Sequence, residues 1–430
     1  MQHVHLQNVQ SSGTRCVRHK KERMKKMKKS RLLVLILVVA MTVLSGCGNT
    51  TPATPSNTAT STPDTSSPSA TPVQLEGEVT FGVVAPITGT NKMVGEYVKN
   101  GAELAAEHIN ANGGILGKEL KLVFEDEVDN LQASVNAMTK IMNYPEVVAF
   151  FGSTYSSNCI AVSPIVLEKK IPMFAGGSSA NIPLENNPYV WQARMTDDQS
   201  GILLAKAATE NLGMKNPAIL YSTESFGTGL KDQTLAALKN LGIEVPESNL
   251  YGFVVDEKNF TPLLTQIQNS DVDGLIAIAH QMPAALICQQ VETTGLDIPL
   301  LGSSSWASAV CRTNAGDSAN GWNAVADWTV EVSTEEGKSF AEAYYNKYKA
   351  DSDMPAVAAY DSIMLFKEAC EIANTTTDKE AINKALEQIK DFNGAMSTYT
   401  YDASHCFSTS QFLTINKEGK AVMINTVKTR

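Results

Sequence analysis

Histidine and long apolar segments are scarce in this chain of 430 residues. Of its six His, three lie in the first 20 residues, so a metal centre built on several histidines is not expected. The most apolar segment, Leu32–Leu44, has 13 residues. A membrane-spanning helix needs roughly 20, so this segment is too short to serve as one.

Basic residues are also scarce once the first 46 residues are set aside. That segment holds ten of the 35 Lys and Arg but one of the 45 acids, Glu22, which leaves 25 basic and 44 acidic residues and a net charge of −19. Binding to nucleic acid requires Lys and Arg that displace counterions from phosphates. We therefore exclude nucleic acid as a partner.

Complete enzyme motifs are missing as well. Gly176–Ala180 (GGSSA) approaches the G-x-S-x-G nucleophile elbow but ends in alanine. Phe226–Gly229 begins like a dinucleotide-binding loop, but Asp232 stands where its third glycine belongs. Among the three later histidines, His280 follows a predicted strand and is the one placed to touch a ligand. We expect neither catalysis nor a metal or cofactor.

The N-terminal segment has the layout of an export signal. The basic stretch Lys25–Arg31 precedes the apolar run, which ends in Ser45-Gly46-Cys47 and so resembles a bacterial lipobox. That resemblance implies a lipoprotein signal peptide over residues 1–46 and a lipid on Cys47. A plain signal anchor with an incidental cysteine is the alternative. The start codon stays open between Met1, Met24 and Met27.

A polar segment follows Cys47. Within Gly48–Gln74, 18 of 27 residues are Ser, Thr or Pro, and none is Lys or Arg. So few apolar side chains cannot offset the entropy lost on ordering, which predicts a flexible tether over residues 47–76. The folded body is expected from residue 77 onward.

The body alternates apolar strands with amphipathic helices in two consecutive series. The first includes strand Val79–Val84, helix Leu131–Met142 and strand Val147–Phe151, and Pro164 is expected to interrupt the helix that follows. The second series begins with helix Gln199–Leu212. This alternation predicts an α/β fold with two doubly wound parallel-sheet lobes.

Polar loops follow five of the predicted strands, and four of the five bear hydroxyls. Hydroxyls and free N–H groups at helix N-termini suit a small anion, and parallel sheets bind ligands at these strand ends. Ser and Thr also cap helices routinely, but five recurrences favour a cleft that binds a carboxylate. The loops are Gly152–Asn158, Gly176–Ser179, Ser222–Gly227, His280–Met282 and Gly302–Trp306.

The segment Gly89–Gly117 carries a family resemblance. With Asn100-Gly101-Ala102 and Gly113-Gly114-Ile115-Leu116-Gly117, it resembles the opening of periplasmic binding proteins of the branched-chain amino acid (leucine/isoleucine/valine) uptake type. The resemblance implies a type I fold with a three-crossover hinge. It assigns residues 77–196 and 328–396 to lobe 1, and residues 197–327 and 397–430 to lobe 2. Further matches lie at Gly152–Ser157, Arg194–Asp198, Phe226-Gly227 and Ala359-Tyr360-Asp361.

The resemblance also implies the ligand contacts. Ser156 with the Ser178-Ser179 pair takes the place of the carboxylate grip, and Ser304 stands near the family's acidic partner for a ligand ammonium. A buried ammonium without an anion is costly, so Glu224, Asp361 or a different ligand must fill that gap. The predicted ligand-binding residues are Tyr155, Ser156, Ser178, Ser179, Phe226, Gln281, Ser304 and Trp306.

By resemblance, the protein is a lipid-anchored, extracytoplasmic substrate-binding lipoprotein of an ABC importer. It is expected to act as a monomer, to close on an amino acid or related small carboxylate, and to deliver it to permease and ATPase subunits. The alternative is a ligand sensor of the same fold that signals to a membrane receptor. Five cysteines follow Cys47, so at least one is expected to be free in a monomer.

Overall fold

The computed structural model describes residues 75–426 except 129, 185, 331–333, 403, 404, 408 and 410. The predicted signal peptide, Cys47 and almost all of the predicted tether lie outside the described residues. In the part of the chain that is described, no helix combines the length and apolar character needed to cross a membrane.

The first lobe is built on a parallel sheet of five strands in the order β2-β1-β3-β4-β5. Apolar strand residues are buried on both faces: all five residues of Val147–Phe151 are buried. The elements are β1 Glu78–Ala85, α1 Lys92–Ala111, β2 Glu119–Asp126, α2 Leu131–Met142, β3 Val147–Phe151, α3 Ser156–Lys169, β4 Met173–Ala175, α4 Asn181–Leu184 and β5 Val190–Gln192.

The second lobe is built on a sheet of seven strands. Its elements are α5 Asp197–Lys206, β6 Pro217–Ser222, α6 Ser225–Asn240, β7 Leu250–Phe253, α7 Thr261–Gln268, β8 Gly274–Ile278, α8 Gln281–Thr294, β9 Leu300–Gly302, α9 Ser304–Ala307, α10 Ala309–Ala315, β10 Asn323–Ala326, and later β13 Phe412–Lys417 and β14 Lys420–Thr426. The strand order is β14-β13-β10-β9-β8-β6-β7. All pairs are parallel except those of β13, which joins β10 and β14 antiparallel and so extends the predicted parallel sheet.

The chain returns to the first lobe between β10 and β13. The returning elements are α11 Glu335–Tyr348, α12 Met354–Ala373, α13 Lys379–Leu386 and the short strands β11 Phe392–Asn393 and β12 Thr398–Tyr399. Helix α12 packs against α1, and both contribute to one hydrophobic cluster with the first sheet. Tyr399 and Phe407 belong to this cluster, although the predicted boundary gives residues 397–430 to the second lobe. The lobe boundaries stay a prediction.

Three chain segments connect the two sheets, between β5 and α5, between β10 and α11, and between β12 and β13. The first two are joined by a buried ion pair. Arg194 donates from Nε and Nη2 to Asp327 Oδ2 at 3.1 and 3.0 Å, and both side chains are less than 10% exposed. A buried pair of this kind fixes the relative position of the segments, because separating the partners leaves an uncompensated charge.

The expected interruption of helix α3 at Pro164 is wrong. Pro164 does not interrupt it, because the helix runs continuously from Ser156 to Lys169. Proline removes one helical hydrogen bond, to the carbonyl of Ile160, and the buried side chains of Cys159, Val162 and Val166 pack against the first sheet on either side. Packing therefore outweighs the local cost of the proline.

The cysteines of the described chain form no disulfide. The thiols are those of Cys159, Cys288, Cys311, Cys370 and Cys406, and all five are buried. Burial raises the pKa of Cys159 and of Cys370 to about 12, so these thiols stay protonated at neutral pH.

Candidate ligand-binding cleft

The carboxyl ends of strands from both sheets face a common cleft. This is the position at which parallel α/β sheets bind ligands. The lining residues are Thr154, Tyr155, Ser156, Ser178, Arg194, Phe226, His280, Gln281, Ser304, Ser305 and Met354. Both lobes contribute hydroxyls, and aromatic and thioether groups provide apolar surface.

Six of the eight residues predicted to bind ligand line this cleft, and two do not. Ser179 is fully buried behind the cleft, where its N–H donates to Ser156 Oγ at 3.1 Å. Trp306 is fully buried in the core of the second lobe, with its ring 5.1 Å from that of Trp322. Trp306 therefore does not form the expected cleft wall, and Ser179 positions Ser156 from behind.

The loop after β4 is held by its carbonyl groups. Arg194 Nη1 donates to Gly176 O at 3.1 Å, and Gln192 Nε2 donates to Gly177 O and Ser179 O at 3.0 and 3.3 Å. The Asp197 N–H donates to the remaining carbonyl, that of Ser178, at 2.8 Å. With all four carbonyls of residues 176–179 satisfied, the loop offers the hydroxyl of Ser178 to the cleft.

Two long helices, one from each lobe, begin at the cleft. Neither α3, which follows Tyr155, nor α8, which follows His280, has its first turn capped by the side chain of its N-cap residue. The N–H groups of the first two residues in each helix, Ser156, Ser157, Gln281 and Met282, have no acceptor among the described residues. Each such terminus carries about half a positive charge, and the two termini together favour an anion.

Glu224 is partly exposed between the two lobes and caps α6. Its carboxylate accepts hydrogen bonds from the N–H groups of Phe226 and Gly227 at 2.7 and 3.0 Å, and His280 Nε2 lies 3.4 Å from Oε1. Burial alone would raise the pKa of Glu224, but the interaction with His280 and the two N–H groups lowers it to about 2. Glu224 is therefore a carboxylate at every physiological pH.

The same residues connect the two lobes across the cleft. Ser157 Oγ on the first lobe donates to Glu224 Oε2 on the second at 3.3 Å. The ring of Tyr155 meets that of His280 edge to face at 4.9 Å, and His280 also packs against Phe226 at 5.0 Å. This aromatic group encloses one side of the cleft.

Sequence reasoning singled out His280 but missed other lining residues. Arg194 belongs to the hinge, and Met354 begins a helix about 175 residues beyond Ser178, the preceding first-lobe contact, so neither follows a strand in the hydroxyl-loop pattern. Thr154 and Ser305 lie in recognised loops but were not singled out. The one available signal was Arg194 in the Arg194–Asp198 match, which carried no assigned role.

Known proteins share the sequence pattern of this chain. Residues 78–419 match the periplasmic binding protein family. The chain belongs to that family. Among its relatives, Leu/Ile/Val-binding protein homolog 3 of Brucella melitensis is 26% identical over 345 residues, which cover 78% of this chain and 90% of the relative. Leu/Ile/Val-binding protein BraC3 of Rhizobium johnstonii is 26% identical over 341 residues, with coverage of 78% and 90%.

Solved structures of this fold superpose well. A leucine-binding protein from Thermotoga maritima has a TM-score of 0.76 at 24% identity and covers 82% of this chain and 99% of its own. An ABC transporter solute-binding protein from R. palustris in complex with benzoate has a TM-score of 0.74 at 20% identity, with coverage of 81% and 96%. These comparisons confirm the predicted family and the type I fold. This family consists of substrate-binding proteins rather than enzymes.

No group of His, Cys, Asp or Glu side chains among the described residues is arranged to hold a metal ion.

Proposed function

We propose that this protein is the lipid-anchored, extracytoplasmic substrate-binding component of an ABC importer. It binds a small carboxylate, either an amino acid of the branched-chain type or a related acid, between its two lobes. The observation that carries the proposal is the cleft itself, where hydroxyls and two helix N-termini from opposite lobes converge. An anion placed there gains from both helix ends at once.

Ser156 is the centre of the proposed carboxylate grip. Its Oγ accepts the Ser179 N–H at 3.1 Å, which leaves the hydroxyl proton free to donate into the cleft. The residue also begins α3, so its own N–H points the same way as the helix end. Tyr155, Ser178, Phe226, Gln281 and Ser304 complete the proposed contacts.

The proposed attachment to the membrane is based on the sequence that precedes the folded body. A lipid on Cys47 and the Ser/Thr/Pro tether of residues 47–76 would hold a monomeric body at the extracytoplasmic face of the cell membrane. There the body would be within reach of the importer formed by the permease and ATPase partners. This arrangement suits a receptor that must collect ligand and dock repeatedly.

Calorimetry on the purified protein tests the binding function. We expect heat with at least one compound from a panel of the twenty amino acids, short amides, and aliphatic and aromatic acids. Ser156→Ala should weaken that binding about ten- to hundredfold, since a hydrogen bond to a charged group is lost. Ser248→Ala, on the far edge of the second lobe, is the matched control. Absence of heat with every amino acid and acid would refute the carboxylate function.

A further inference from the structure

We infer that the ligand is a monocarboxylate with an apolar tail and no α-amino group, rather than an amino acid. This inference rests on the proposed function and narrows its ligand class. The reason is that two helix N-termini at the cleft favour a negative charge, whereas no carboxylate among the described lining residues can pair with a positive charge.

The charge of the lining is the first observation. No Asp or Glu occurs among the described residues that line the cleft. The charged lining residue Arg194 is already paired with Asp327, and its Nη1 is bound to Gly176 O. What remains is the positive end of α3 and that of α8. These ends attract a carboxylate and repel an ammonium.

Glu224 is the nearest carboxylate, but its acceptor positions are occupied. Besides the N–H groups of Phe226 and Gly227, it accepts from Ser222 Oγ at 2.9 Å and from Ser157 Oγ at 3.3 Å, and His280 approaches to 3.4 Å. A carboxylate has about four acceptor positions, and five donors already surround this one. A ligand ammonium could therefore bind this carboxylate only by displacing one of these donors, including those of the helix cap.

The other candidate acids are sealed inside the protein. Asp361, the alternative from the sequence, is fully buried in the first lobe, where it accepts from the N–H groups of Ala395 and Met396 and from the Tyr399 hydroxyl, each at 2.7 Å. Asp197 lies behind Ser178 with no exposed surface. An ammonium in the cleft would thus be buried without an anionic partner, which is strongly unfavourable.

The rest of the lining suits an apolar tail. Phe226 and Tyr155 present aromatic surface on one side, and Met354 presents a flexible thioether from the first lobe. Such groups can pack against the alkyl or aryl surface of a ligand and need no polar partner there. The chemistry of this lining therefore suits the apolar tail of a short branched aliphatic acid or a simple aromatic acid.

Matched ligand pairs test the inference on the purified protein by calorimetry at pH 7. Each pair differs by the amino group alone: 4-methylpentanoate against leucine, and 3-phenylpropanoate against phenylalanine. We expect the acid of at least one pair to bind at least about tenfold more tightly than its amino acid. Equal or tighter binding of the amino acids would overturn the inference and leave the proposed function intact. If no amino acid or acid of the full panel binds, the proposed function itself fails.

A designed change of preference gives an independent test. Ser304 is partly exposed at the cleft and begins α9, so a longer side chain can be accommodated there. Ser304→Glu should shift the ratio of acid to amino-acid affinity at least about tenfold toward the amino acid, because it supplies the missing anion. Ser304→Gln, of nearly the same size, should not. Equal shifts in both variants, with melting temperatures showing that each is folded, would contradict the charge argument.

Discussion

At the residue scale, two carboxyl groups near the cleft, those of Glu224 and Asp197, differ in charge because the donors around them differ. Glu224 is surrounded by donors and its pKa falls to about 2. Asp197 is fully buried, and burial raises its pKa to about 8, although the Ser178 hydroxyl and the charge of Arg194 partly oppose the shift. Two acids near the cleft thus carry different charges at neutral pH.

The first prediction concerns Asp197 and the pH dependence of stability. The folded protein holds the Asp197 proton up to about pH 8, whereas the unfolded chain releases it near the ordinary pKa of 3.8. Folding therefore takes up a proton within this window, and this residue makes stability fall as pH rises through it. Asp197→Asn should raise the melting temperature by about 2–5 °C at pH 8 and have little effect at pH 4.

The control for this prediction is Asp256→Asn, which changes an exposed carboxyl in the loop after β7. Melting curves of both variants and the unchanged protein, recorded from pH 4 to pH 8, supply the comparison. An Asp197→Asn curve parallel to that of the unchanged protein would show that the buried carboxyl does not titrate in this window.

At the scale of elements, the cleft depends on the close approach of the 176–179 loop to the start of α3. A Cβ at Gly177 would lie 2.7 Å from Ser156 Cα and 2.9 Å from its N, well inside van der Waals contact. Only glycine allows this loop to approach the helix so closely. The spacing places the Ser178 hydroxyl and the first turn of α3 on the same cleft wall.

The second prediction follows from this spacing. Gly177→Ala should push the loop and the helix apart and reduce ligand affinity at least about tenfold, with a loss of about 1–3 kcal/mol in the free energy of unfolding. Gly201→Ala places a Cβ equally close, 2.7 Å, to Gln233 on α6, away from the cleft lining. It should cost similar stability but leave the affinity unchanged in calorimetry. Equal loss of affinity in both variants would refute a special role for Gly177.

Most of the elements were predictable, because their signals are local. Helix Leu131–Met142 and strand Val147–Phe151 have the bounds that periodicity predicted. Whether a side chain lies in the core or at the cleft surface was not predictable in the same way. Trp306 is in the core because Gly302 leaves room for its indole ring, since a Cβ there would lie 2.3 Å from the ring. That relation depends on tertiary packing, which no spacing in the sequence reveals.

At the scale of the whole molecule, the two lobes are linked by three chain segments and by contacts across the cleft. The Arg194–Asp327 pair lies at the connecting segments, and Ser157–Glu224 and Tyr155–His280 are contacts across the cleft. The recurrence of hydroxyl loops predicted where the lobes would meet. It did not predict the position of Arg194, because the hinge is assembled from segments that are distant in the chain.

The third prediction concerns attachment to the membrane. If Cys47 carries the lipid, Cys47→Ser should move the protein from the membrane fraction to the soluble fraction of expressing bacteria. Loss of two acyl chains removes most of the membrane affinity. Cys16→Ser changes the other cysteine of the leader and should leave the distribution unchanged. A Cys47→Ser protein that stays in the membrane fraction would favour the uncleaved signal anchor.

The burial of all five described thiols has a practical consequence for labelling chemistry. Maleimides and similar reagents attack exposed thiolates, and buried protonated thiols react slowly. A single cysteine introduced on the rim of the cleft would thus accept a fluorophore in the native protein without prior removal of these five. If the lobes close on ligand as proposed, such a dye would change its surroundings when ligand binds, and the protein would report its own occupancy as an optical signal.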